Sequence, residues 1–349
     1  MNRRNFIAAS AAIAALPYVK NSGNAKESPK NLFIKPKMLN PGDTIGIIAP
    51  GSAVSDPDDL AKAREALDYF GLKMKIAKNA VKGSGYRTRT IEERLEDLHS
   101  MFLDNEVKGV FCIRGGYGSI QLLDKIDYKL IRNNPKIFLG YSDITAMHLA
   151  INKLSGLVTF HGPLLLSAFS GFTVNNFKRA LFSPEPLMEL KNPDSKSSIR
   201  TIHPLRTINP GKASGRLTGG NLSMIASLMG TPYEIETKGK ILLLEDVGEE
   251  PYRIDRMLYQ LKHAKKLQEA AGIIFGECSE CNLEGKASKT WDDSLGEVLN
   301  KVFADIKVPV FFGLTFGHTA DQLTLPFSVE SEMDADACIL KITESGVIV

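Results

Sequence analysis

The sequence predicts an α/β fold: an N-terminal Rossmann-like parallel sheet flanked by helices, followed by a second α/β domain with a mixed, β-rich sheet. Two observations predict this. From residue 44 to about residue 160, short apolar runs alternate with amphipathic helical patterns, which is typical of a parallel sheet with helices on both faces. A stretch rich in proline, serine, asparagine and lysine, residues 183–210, then separates this part from a second alternating part.

The first part alternates strands and helices without interruption. A Pro-Gly-Asp turn at 41–43 leads into a mostly apolar strand at 44–49, and a helix with one apolar face follows at 57–70. The same alternation predicts strands at 73–77, 108–113, 137–140 and 158–160, and helices at 91–102, 120–125 and 144–153.

The second part begins at residue 215, after a weakly patterned stretch that holds one helix near 174–181. A glycine-rich segment at 215–221 leads into a helix at 222–229, and an apolar strand at 240–245 ends in an acid. The remaining patterns predict helices at 253–263 and 295–303, strands at 272–275 and 308–312, and a terminal hairpin of 337–343 with 347–349.

A chain of 349 residues is long for one hydrophobic core, so we expect two domains. We place an N-terminal domain at 37–168, an interdomain connection at 169–212 and a C-terminal domain at 213–349. Hydrophobic residues make up 43% of the chain and charged residues 24%, which indicates an ordinary soluble globular protein.

The first 25 residues have the pattern of an export signal. Arg3 and Arg4 precede an apolar run at 8–16 that is too short to span a bilayer, and small residues at 23–25 suit a cleavage site. We therefore predict a twin-arginine-like signal at 1–25, a linker at 26–36 and export to the periplasm. The alternative is an N-terminus that stays uncleaved.

The charge of the processed chain is balanced. Removal of residues 1–25 takes away three basic residues and no acidic one, which leaves 40 residues of each sign. This balance gives no electrostatic reason to expect nucleic acid or an anionic membrane as a partner. We expect no membrane span after processing.

Ser142 stands at the corner of a predicted strand-to-helix turn. The apolar run 137–139 ends at a glycine and a helical pattern starts after Asp143, so Ser142 lies beside the N–H groups of the first helical turn. That position suits a nucleophile. The local pattern alone favours a plain helix N-cap, because serine is common there and Ile144 replaces the last glycine of the G-x-S-x-G motif.

Two residues of the second part also follow apolar strands. Glu245 ends one of them, and a carboxylate that emerges from a sheet can orient a histidine; the acids after it can equally form a solvated loop. His318 follows the turn after strand 308–312 and carries the side chain that most often accepts a proton from serine. His161, which also follows a strand, is the rival for this role.

A glycine-rich turn, RGGYG at 114–118, follows the strand at 108–113. It lacks the full G-x-G-x-x-G spacing, a Walker lysine and a downstream ribose-binding acid, which disfavours a nucleotide site. Backbone N–H groups in such a turn serve equally well as an oxyanion hole. The guanidinium of Arg114 can bind a substrate carboxylate through two hydrogen bonds, and its other interpretation is an ordinary ion pair.

The cysteines are Cys112, Cys278, Cys281 and Cys338. Cys112 lies in an apolar run, so we expect an ordinary buried thiol. Cys278 and Cys281 have C-x-x-C spacing, but a structural zinc site usually needs a second ligand pair and the sequence has none. We expect no metal here, and a disulfide between the two stays open.

Five motifs occur in a characteristic order: RGGYG at 114–118, GYSDIT at 140–145, GGNL at 219–222, LEDVGE at 244–249 and GH at 317–318. Together they resemble the serine L,D-carboxypeptidases of peptidoglycan recycling, a family that includes the microcin C immunity peptidases. The similarity runs from about residue 37 to the C-terminus.

The resemblance implies that Ser142 is the nucleophile, His318 the general base and Glu245 the carboxylate that orients it. It also implies an oxyanion hole formed by the N–H groups of Gly116 and Asp143. The implied reaction releases the terminal D-alanine of a murein tetrapeptide by hydrolysis of an L,D-peptide bond, without a metal or a cofactor. Family members suggest a homodimer.

The predicted export signal departs from the family's usual cytoplasmic setting. It weighs against the microcin-immunity role, because that substrate is an intracellular aminoacyl-nucleotide analogue. A catalytically silent protein that binds wall peptides is the alternative from another functional class.

Overall fold

The computed structural model describes residues 33–54, 56–83, 89–194, 203–281 and 295–349. The predicted signal at 1–25 and residues 26–32 of the predicted linker lie outside the described residues. In chain order the helices are α1 (Pro57–Tyr69), α2 (Ile91–Leu103), α3 (Tyr128–Asn133), α4 (Thr145–Ser155), α5 (Gly171–Leu181), α6 (Leu222–Ser227), α7 (Pro251–His263), α8 (Lys266–Glu269) and α9 (Leu295–Phe303). The strands are β1 (Thr44–Ile48), β2 (Lys73–Ile76), β3 (Val107–Cys112), β4 (Ile137–Gly140), β5 (Phe160–His161), β6 (Met188–Leu190), β7 (Arg206–Asn209), β8 (Lys212–Asn221), β9 (Ile241–Val247), β10 (Gly272–Ser279), β11 (Val310–Leu314), β12 (Leu325–Pro326), β13 (Glu330–Asp334) and β14 (Ile339–Ile342).

The first sheet has the strand order β12-β5-β4-β3-β1-β2. Strands β1 to β5 are parallel to their neighbours, and β12 runs antiparallel to β5. Every residue of β4 is buried, as expected for a strand in a sheet that helices cover on both faces. Because parallel strands end at one edge of a sheet, the turns that follow β1, β3 and β4 lie close together.

The second sheet has the order β6-β14-β13-β8-β9-β10-β11-β7. Its four central strands, β8 to β11, are parallel, and the strands on either side pair antiparallel. The predicted fold class, a parallel sheet plus a mixed sheet, is confirmed. The predicted domain boundaries stay a prediction.

Helix α2 shows how the sequence builds the first layer. Thr90 caps it: the Thr90 hydroxyl accepts a hydrogen bond from the Glu93 N–H, and the Glu93 carboxylate accepts one from the Thr90 N–H, each at 3.1 Å. One face buries Leu98 and Phe102 completely. Burial of each such side chain stabilises the fold by about 1.5–3 kcal/mol.

Several predicted elements differ from the structure. The helix expected at 120–125 is a single 3-10 turn, Ser119–Leu122, at whose start Asp143 accepts hydrogen bonds from the N–H groups of Gly118 and Ser119. The strand expected at 158–160 is β5, since the Val158 N–H donates to Ile34 instead.

The terminal hairpin is formed by β13 and β14, so the prediction of 337–343 with 347–349 was wrong in its second strand. Ile348 returns to the start of the fold, where its N–H donates to the Pro36 carbonyl oxygen at 2.9 Å. The charged residues that alternate along β13 conceal its strand pattern. Within the described ranges, no helix has both the length and the apolar character needed to cross a membrane.

Candidate active site

Ser142 lies immediately beyond β4, in a short 3-10 turn, Ser142–Ile144. Its backbone has a φ of +66°, in the left-handed region that is costly for residues other than glycine. A helix N-cap has an extended backbone, and α4 begins only at Thr145, so Ser142 does not have the geometry of a plain N-cap. The turn instead directs its Oγ at a histidine.

That histidine is His318, in the loop that follows β11. Its Nε2 lies 3.1 Å from Ser142 Oγ, and its Nδ1 lies 2.8 Å from Glu245 Oε2. Glu245 is completely buried on β9, whereas the His318 side chain is 18% exposed. A carboxylate accepts only, so Nδ1 carries the hydrogen and Nε2 is left to accept the serine proton.

Gly317 permits this close approach. Its φ is +80°, and a Cβ added there would lie 2.3 Å from Glu245 Oε2. Any side chain at 317 would therefore displace the carboxylate that orients His318. The Gly-His pair noted in the sequence has a steric basis.

Ser142 follows a strand of the first sheet. Glu245 lies on a strand of the second sheet, and His318 follows another strand of that sheet. The two sheets are joined next to the site, where Thr145 Oγ1 accepts a hydrogen bond from the Asn221 N–H at 3.0 Å. Asn221 is the register partner of Glu245 in the pairing of β8 with β9. This contact joins the start of α4 to the end of β8, the strand that pairs with the one carrying Glu245.

The glycine turn after β3 runs along Ser142. A Cβ added at Gly115 would lie 3.1 Å from Ser142 Cβ and 3.4 Å from its Oγ. At Gly116, which has a φ of +92°, an added Cβ would meet Ser52 Oγ at 2.1 Å. Gly116 requires glycine for both steric and backbone reasons, whereas a side chain at Gly115 would make a tight contact with Ser142.

Asp143 ties the two turns together. Its carboxylate accepts hydrogen bonds from the N–H groups of Ser119 at 2.9 Å and Gly118 at 3.3 Å, and the Ser119 hydroxyl donates to the Asp143 carbonyl oxygen. Burial raises the pKa of the Asp143 carboxyl above its ordinary value. The backbone amides of Gly116 and Asp143 thus belong to two turns with a fixed mutual position.

Arg94 contacts the turn after β1 and the glycine turn after β3. It is buried, and its Nη1 donates to the carbonyl oxygens of Pro50 at 2.8 Å and Gly118 at 2.9 Å. Its Nη2 donates to Gln121 Oε1 at 2.7 Å. One guanidinium therefore links the turn after β1 to the glycine turn after β3.

A cavity of about 310 Å³ opens over Ser142. It is lined by Ser142, His318, Gly116, Arg114, Asp59 and Leu166, among others. Arg114 donates from Nη1 to the Ala53 carbonyl oxygen at 3.2 Å. No carboxylate of the described chain lies within ion-pair distance of Arg114, so the ion-pair interpretation has no support there.

His161, the rival base, has a different environment. It is completely buried on β5, against the rings of Tyr141, Phe316 and Phe327. Burial lowers its pKa well below the ordinary value. The structure brings His318, not His161, to Ser142 Oγ.

Cys278 and Cys281 form a disulfide, with Cα atoms 5.5 Å apart. Their sulfur atoms are bonded to each other, so they are not zinc ligands in this form. Cys112 is buried, as predicted. Among the residues that the structure describes, no group of three or more histidine, cysteine or acidic side chains is arranged to hold a metal ion.

Known proteins resemble the chain over both sheets. The model of the LD-carboxypeptidase N-terminal domain matches residues 45–162, and that of the LD-carboxypeptidase C-terminal domain matches residues 214–333. A Bacillus subtilis (strain 168) protein named "Probable murein peptide carboxypeptidase" is 42% identical over 317 residues, which cover 91% of this chain and 96% of that protein. The chain belongs to the LD-carboxypeptidase family.

Solved structures of this family have the same fold. The muramoyltetrapeptide carboxypeptidase from Oxalobacter formigenes has a TM-score of 0.72 at 32% identity, over 86% of this chain and 97% of that one. Microcin C7 self immunity protein MccF, in complex with aspartyl sulfamoyl adenosine, has a TM-score of 0.80 at 28% identity, over 90% and 100% of the two chains. The resemblance stated from the motifs is confirmed, and this LD-carboxypeptidase is a serine-type carboxypeptidase.

Some residues around the site of this LD-carboxypeptidase had no signal in the sequence. Tyr141 packs the edge of its ring against His318, with ring centroids 4.8 Å apart. Arg94 lies on a helix distant in sequence from the turns that it supports, and Ser279 donates a hydrogen bond to the His318 carbonyl oxygen. Only the position of Tyr141 in the GYSDIT motif could have drawn attention to it.

Proposed function

We propose that this chain releases the terminal D-alanine from murein tetrapeptides through an acyl-enzyme on Ser142. The observation that carries the proposal is the hydrogen-bonded chain from Ser142 Oγ through the His318 ring to Glu245. The names of the relatives, a murein peptide carboxypeptidase and a muramoyltetrapeptide carboxypeptidase, support the substrate class.

In the first step His318 Nε2 removes the Ser142 proton while Oγ attacks the carbonyl carbon of the L-residue that precedes D-alanine. Glu245 Oε2 accepts the hydrogen bond from Nδ1 and stabilises the imidazolium that forms. The N–H groups of Gly116 and Asp143 stabilise the negative oxygen of the tetrahedral intermediate. Loss of one such donor typically costs about 2.7–4 kcal/mol of barrier.

In the second step the intermediate collapses. The imidazolium gives its proton to the amine of D-alanine, which leaves, and the acyl group stays on Ser142. A water molecule then loses a proton to His318 Nε2 and attacks the acyl carbonyl, which frees the shortened peptide and regenerates Ser142.

Arg114 is the residue that we assign to the substrate carboxylate. Its guanidinium lines the cavity over Ser142 and has no carboxylate partner among the described side chains. A guanidinium binds a carboxylate in a planar pair of hydrogen bonds, which would favour a free C-terminus over an internal bond. We therefore assign exopeptidase specificity to this contact.

The test compares the wild type with Ser142→Ala on a purified murein tetrapeptide. We expect D-alanine and tripeptide from the wild type, no D-alanine from the variant, and binding of the tetrapeptide by both. If both proteins bind the tetrapeptide and neither releases D-alanine, the chain is a wall-peptide binding protein and the proposal is wrong.

A second substrate class has a specific observation in its favour, because the MccF structure with this fold is in complex with aspartyl sulfamoyl adenosine. Parallel assays with a tetrapeptide and with aspartyl sulfamoyl adenosine separate the two. We expect a kcat/KM ratio that favours the tetrapeptide. Faster cleavage of the sulfamoyl nucleoside would indicate an acyl-nucleotide amidase instead.

We also propose that the protein is exported to the periplasm and that it forms a homodimer. The Arg3-Arg4 pattern supports export, as does the Cys278–Cys281 disulfide, since disulfides persist in oxidising compartments. We expect Arg3→Lys/Arg4→Lys to leave a precursor in the cytoplasm, as cell fractionation would reveal.

The family resemblance alone supports the dimer, which sedimentation equilibrium tests.

A further inference from the structure

Few hydrogen bonds hold the His318 backbone in place within its loop. The His318 N–H lies 3.3 Å from Glu245 Oε2, and the His318 carbonyl oxygen accepts a hydrogen bond from Ser279 Oγ. Glu245 therefore contacts both the ring and the backbone N–H, and the contact to the carbonyl comes from Ser279. The position of the His318 peptide group determines where the ring meets Ser142.

Ser279 ends β10 inside a turn that a disulfide closes. Cys278 precedes it, Cys281 follows two residues later, and the two sulfur atoms are bonded. Glu280, between them, has a φ of +60°, in the left-handed region that is unfavourable for a residue with a Cβ. A covalent ring around Glu280 opposes its relaxation to an extended backbone.

The same turn also contacts the strand that carries Glu245. Cys278 pairs with Asp246 in the register of β10 with β9, and the Gly248 N–H donates to the Ser279 carbonyl oxygen at 2.8 Å. Ser279 thus lies between the segment just after Glu245 and the loop of His318, and it donates to one and accepts from the other.

A second contact joins this end of β10 to the histidine loop. His203 is nearly buried between two carboxylates: its Nδ1 pairs with Glu277, two residues before Ser279, and its Nε2 lies 3.2 Å from Asp321, three residues after His318. One contact reaches the loop at the His318 carbonyl oxygen, and the other reaches it through His203 at Asp321. The end of β10 therefore holds the loop at two points.

We propose that Ser279, held by the Cys278–Cys281 disulfide, is a positioning residue for His318, so that turnover depends on the oxidation state of this cysteine pair. The proposal rests on the assignment of His318 as the base. It does not depend on the identity of the peptide substrate. Ser279 acts through His318 and touches neither the substrate nor Ser142 in this account.

Reduction opens the ring by a balanced exchange. A dithiol such as dithiothreitol transfers two electrons and two protons to the Sγ–Sγ bond, leaves thiols on Cys278 and Cys281, and closes to its own cyclic disulfide. Cys278 is partly exposed, which gives the reagent access. Glu280 can then relax, and the Ser279 hydroxyl loses its fixed direction toward His318.

The test measures kcat and KM for D-alanine release with the oxidised and the dithiothreitol-reduced protein. We expect Ser279→Ala to lower kcat about tenfold with KM within a factor of about two, since one hydrogen bond to the loop is lost and the cavity at Arg114 is unchanged. Ser279→Thr, which keeps a hydroxyl, restores most of kcat. Reduction lowers the wild-type kcat by a similar factor and has little further effect on Ser279→Ala.

Two controls make the test specific. Cys278→Ser/Cys281→Ser should have the lowered kcat already and should not respond to dithiothreitol. Ser345→Ala removes another partly buried hydroxyl that donates to a carbonyl oxygen, that of Val347; Ser345 does not line the cavity over Ser142, and its loss should leave kcat unchanged. A wild-type kcat in Ser279→Ala, or a loss confined to KM, would overturn the proposal, as would a reduced wild type with full activity.

A second readout separates this proposal from the proposed function. A fluorophosphonate phosphonylates a serine that is activated by its base: Oγ attacks phosphorus and fluoride leaves, whatever peptide the enzyme recognises. If the wild type releases no D-alanine from a tetrapeptide but its Ser142 is labelled, the substrate assignment is wrong. The labelling rates of the same variants then decide the role of Ser279 by the same criteria.

Discussion

The serine side and the histidine side of the site are held by different kinds of contact. On the serine side, the turns after β3 and β4 are fixed by glycine geometry, by the Asp143 carboxylate on backbone N–H groups, and by buried Arg94. On the histidine side, the loop is fixed by the Ser279 hydroxyl, a histidine between two carboxylates, and a nearby disulfide. The proposed nucleophile is thus held mainly by backbone geometry and buried hydrogen bonds, whereas the proposed base depends on a histidine between two carboxylates and on a disulfide that can be reduced.

The largest effect should come from the base itself. We expect His318→Ala to lower kcat roughly 10⁶-fold, the order seen when the triad histidine of a serine protease is removed. His161→Phe, a ring of similar size among aromatic neighbours, should keep kcat/KM within about tenfold. D-Alanine release measures both.

Alanine variants of the same two histidines test which of them is the base. If His161→Ala abolishes acylation of Ser142 while His318→Ala does not, then the histidine side has been assigned to the wrong residue.

The next effect tests the frame on the serine side. Arg94→Met leaves the carbonyl oxygens of Pro50 and Gly118 without their guanidinium donor, so we expect the free energy of unfolding to fall by about 2–3 kcal/mol. We also expect kcat to fall about a hundredfold, because the oxyanion turn loses its support. Urea unfolding and steady-state kinetics measure the two effects.

Arg132→Met is the control, at a more exposed position. Arg132 also donates to a carbonyl oxygen, that of Ser155, but it lies at the far end of α4 from Ser142. The Arg132→Met variant should lose stability but keep the wild-type kcat. Equal kcat values for the Arg94 and Arg132 variants would show that the oxyanion turn does not need Arg94.

A third prediction concerns acid stability on the serine side. His148 is buried, with its ring nitrogens 2.8 Å from Thr159 Oγ1 and from the Gly140 carbonyl oxygen, and burial lowers its pKa to about 4. Between the ordinary histidine pKa near 6.5 and pH 4, the unfolded chain binds a proton that the folded chain does not. The free energy of unfolding should therefore fall by roughly 3 kcal/mol over this range.

Urea unfolding at several pH values from 7 to 4 tests this. His148→Gln, which keeps a donor for Gly140, should show a shallower loss of stability toward acid than the wild type. An unchanged slope would mean that carboxylates, not His148, limit acid stability.

The smallest effect should have the opposite sign, on the histidine side. The hydrogen bond that the His203 ring donates to Glu277, together with Asp321, raises the pKa of His203 above its ordinary value. The stabilisation that protonated His203 gives the fold is fully present below the unfolded-state pKa of histidine. It is lost as pH rises through the raised pKa of the folded state. We expect this to lower stability by about 1 kcal/mol or less, because the carboxylates are partly solvated.

Thermal unfolding from pH 6 to pH 9 measures this effect. The Tm of His203→Gln should fall less than the wild-type Tm across that range. If the wild-type Tm does not depend on pH in this range, the contact of His203 with Glu277 and Asp321 does not contribute to stability as predicted.

The sequence alone predicts much of the serine side. An apolar run that ends in a glycine and a polar residue before a helical pattern has few interpretations in an α/β fold, and Ser142 lies at the corner where it was expected. The local pattern does not contain the φ of +66° that separates this turn from an N-cap, because that conformation depends on the neighbouring glycine turn.

The histidine side is less predictable. His161 and His318 both follow apolar strands, and what separates them is burial against Phe316 and Phe327, residues far from His161 in sequence. Only the family resemblance favoured His318. His203 and Ser279 had no pattern at all, since both act through contacts between segments distant along the chain.

The loop of His318 leaves the second sheet at the end of β11 and enters the first sheet at β12. The nucleophile and its base are separated by 176 positions in the sequence, and the base is held at both ends by different sheets. A partly synthesised or partly folded chain therefore contains Ser142 without the group that activates it. The proposed assignment therefore leaves the peptidase without hydrolytic activity until its last strands have formed.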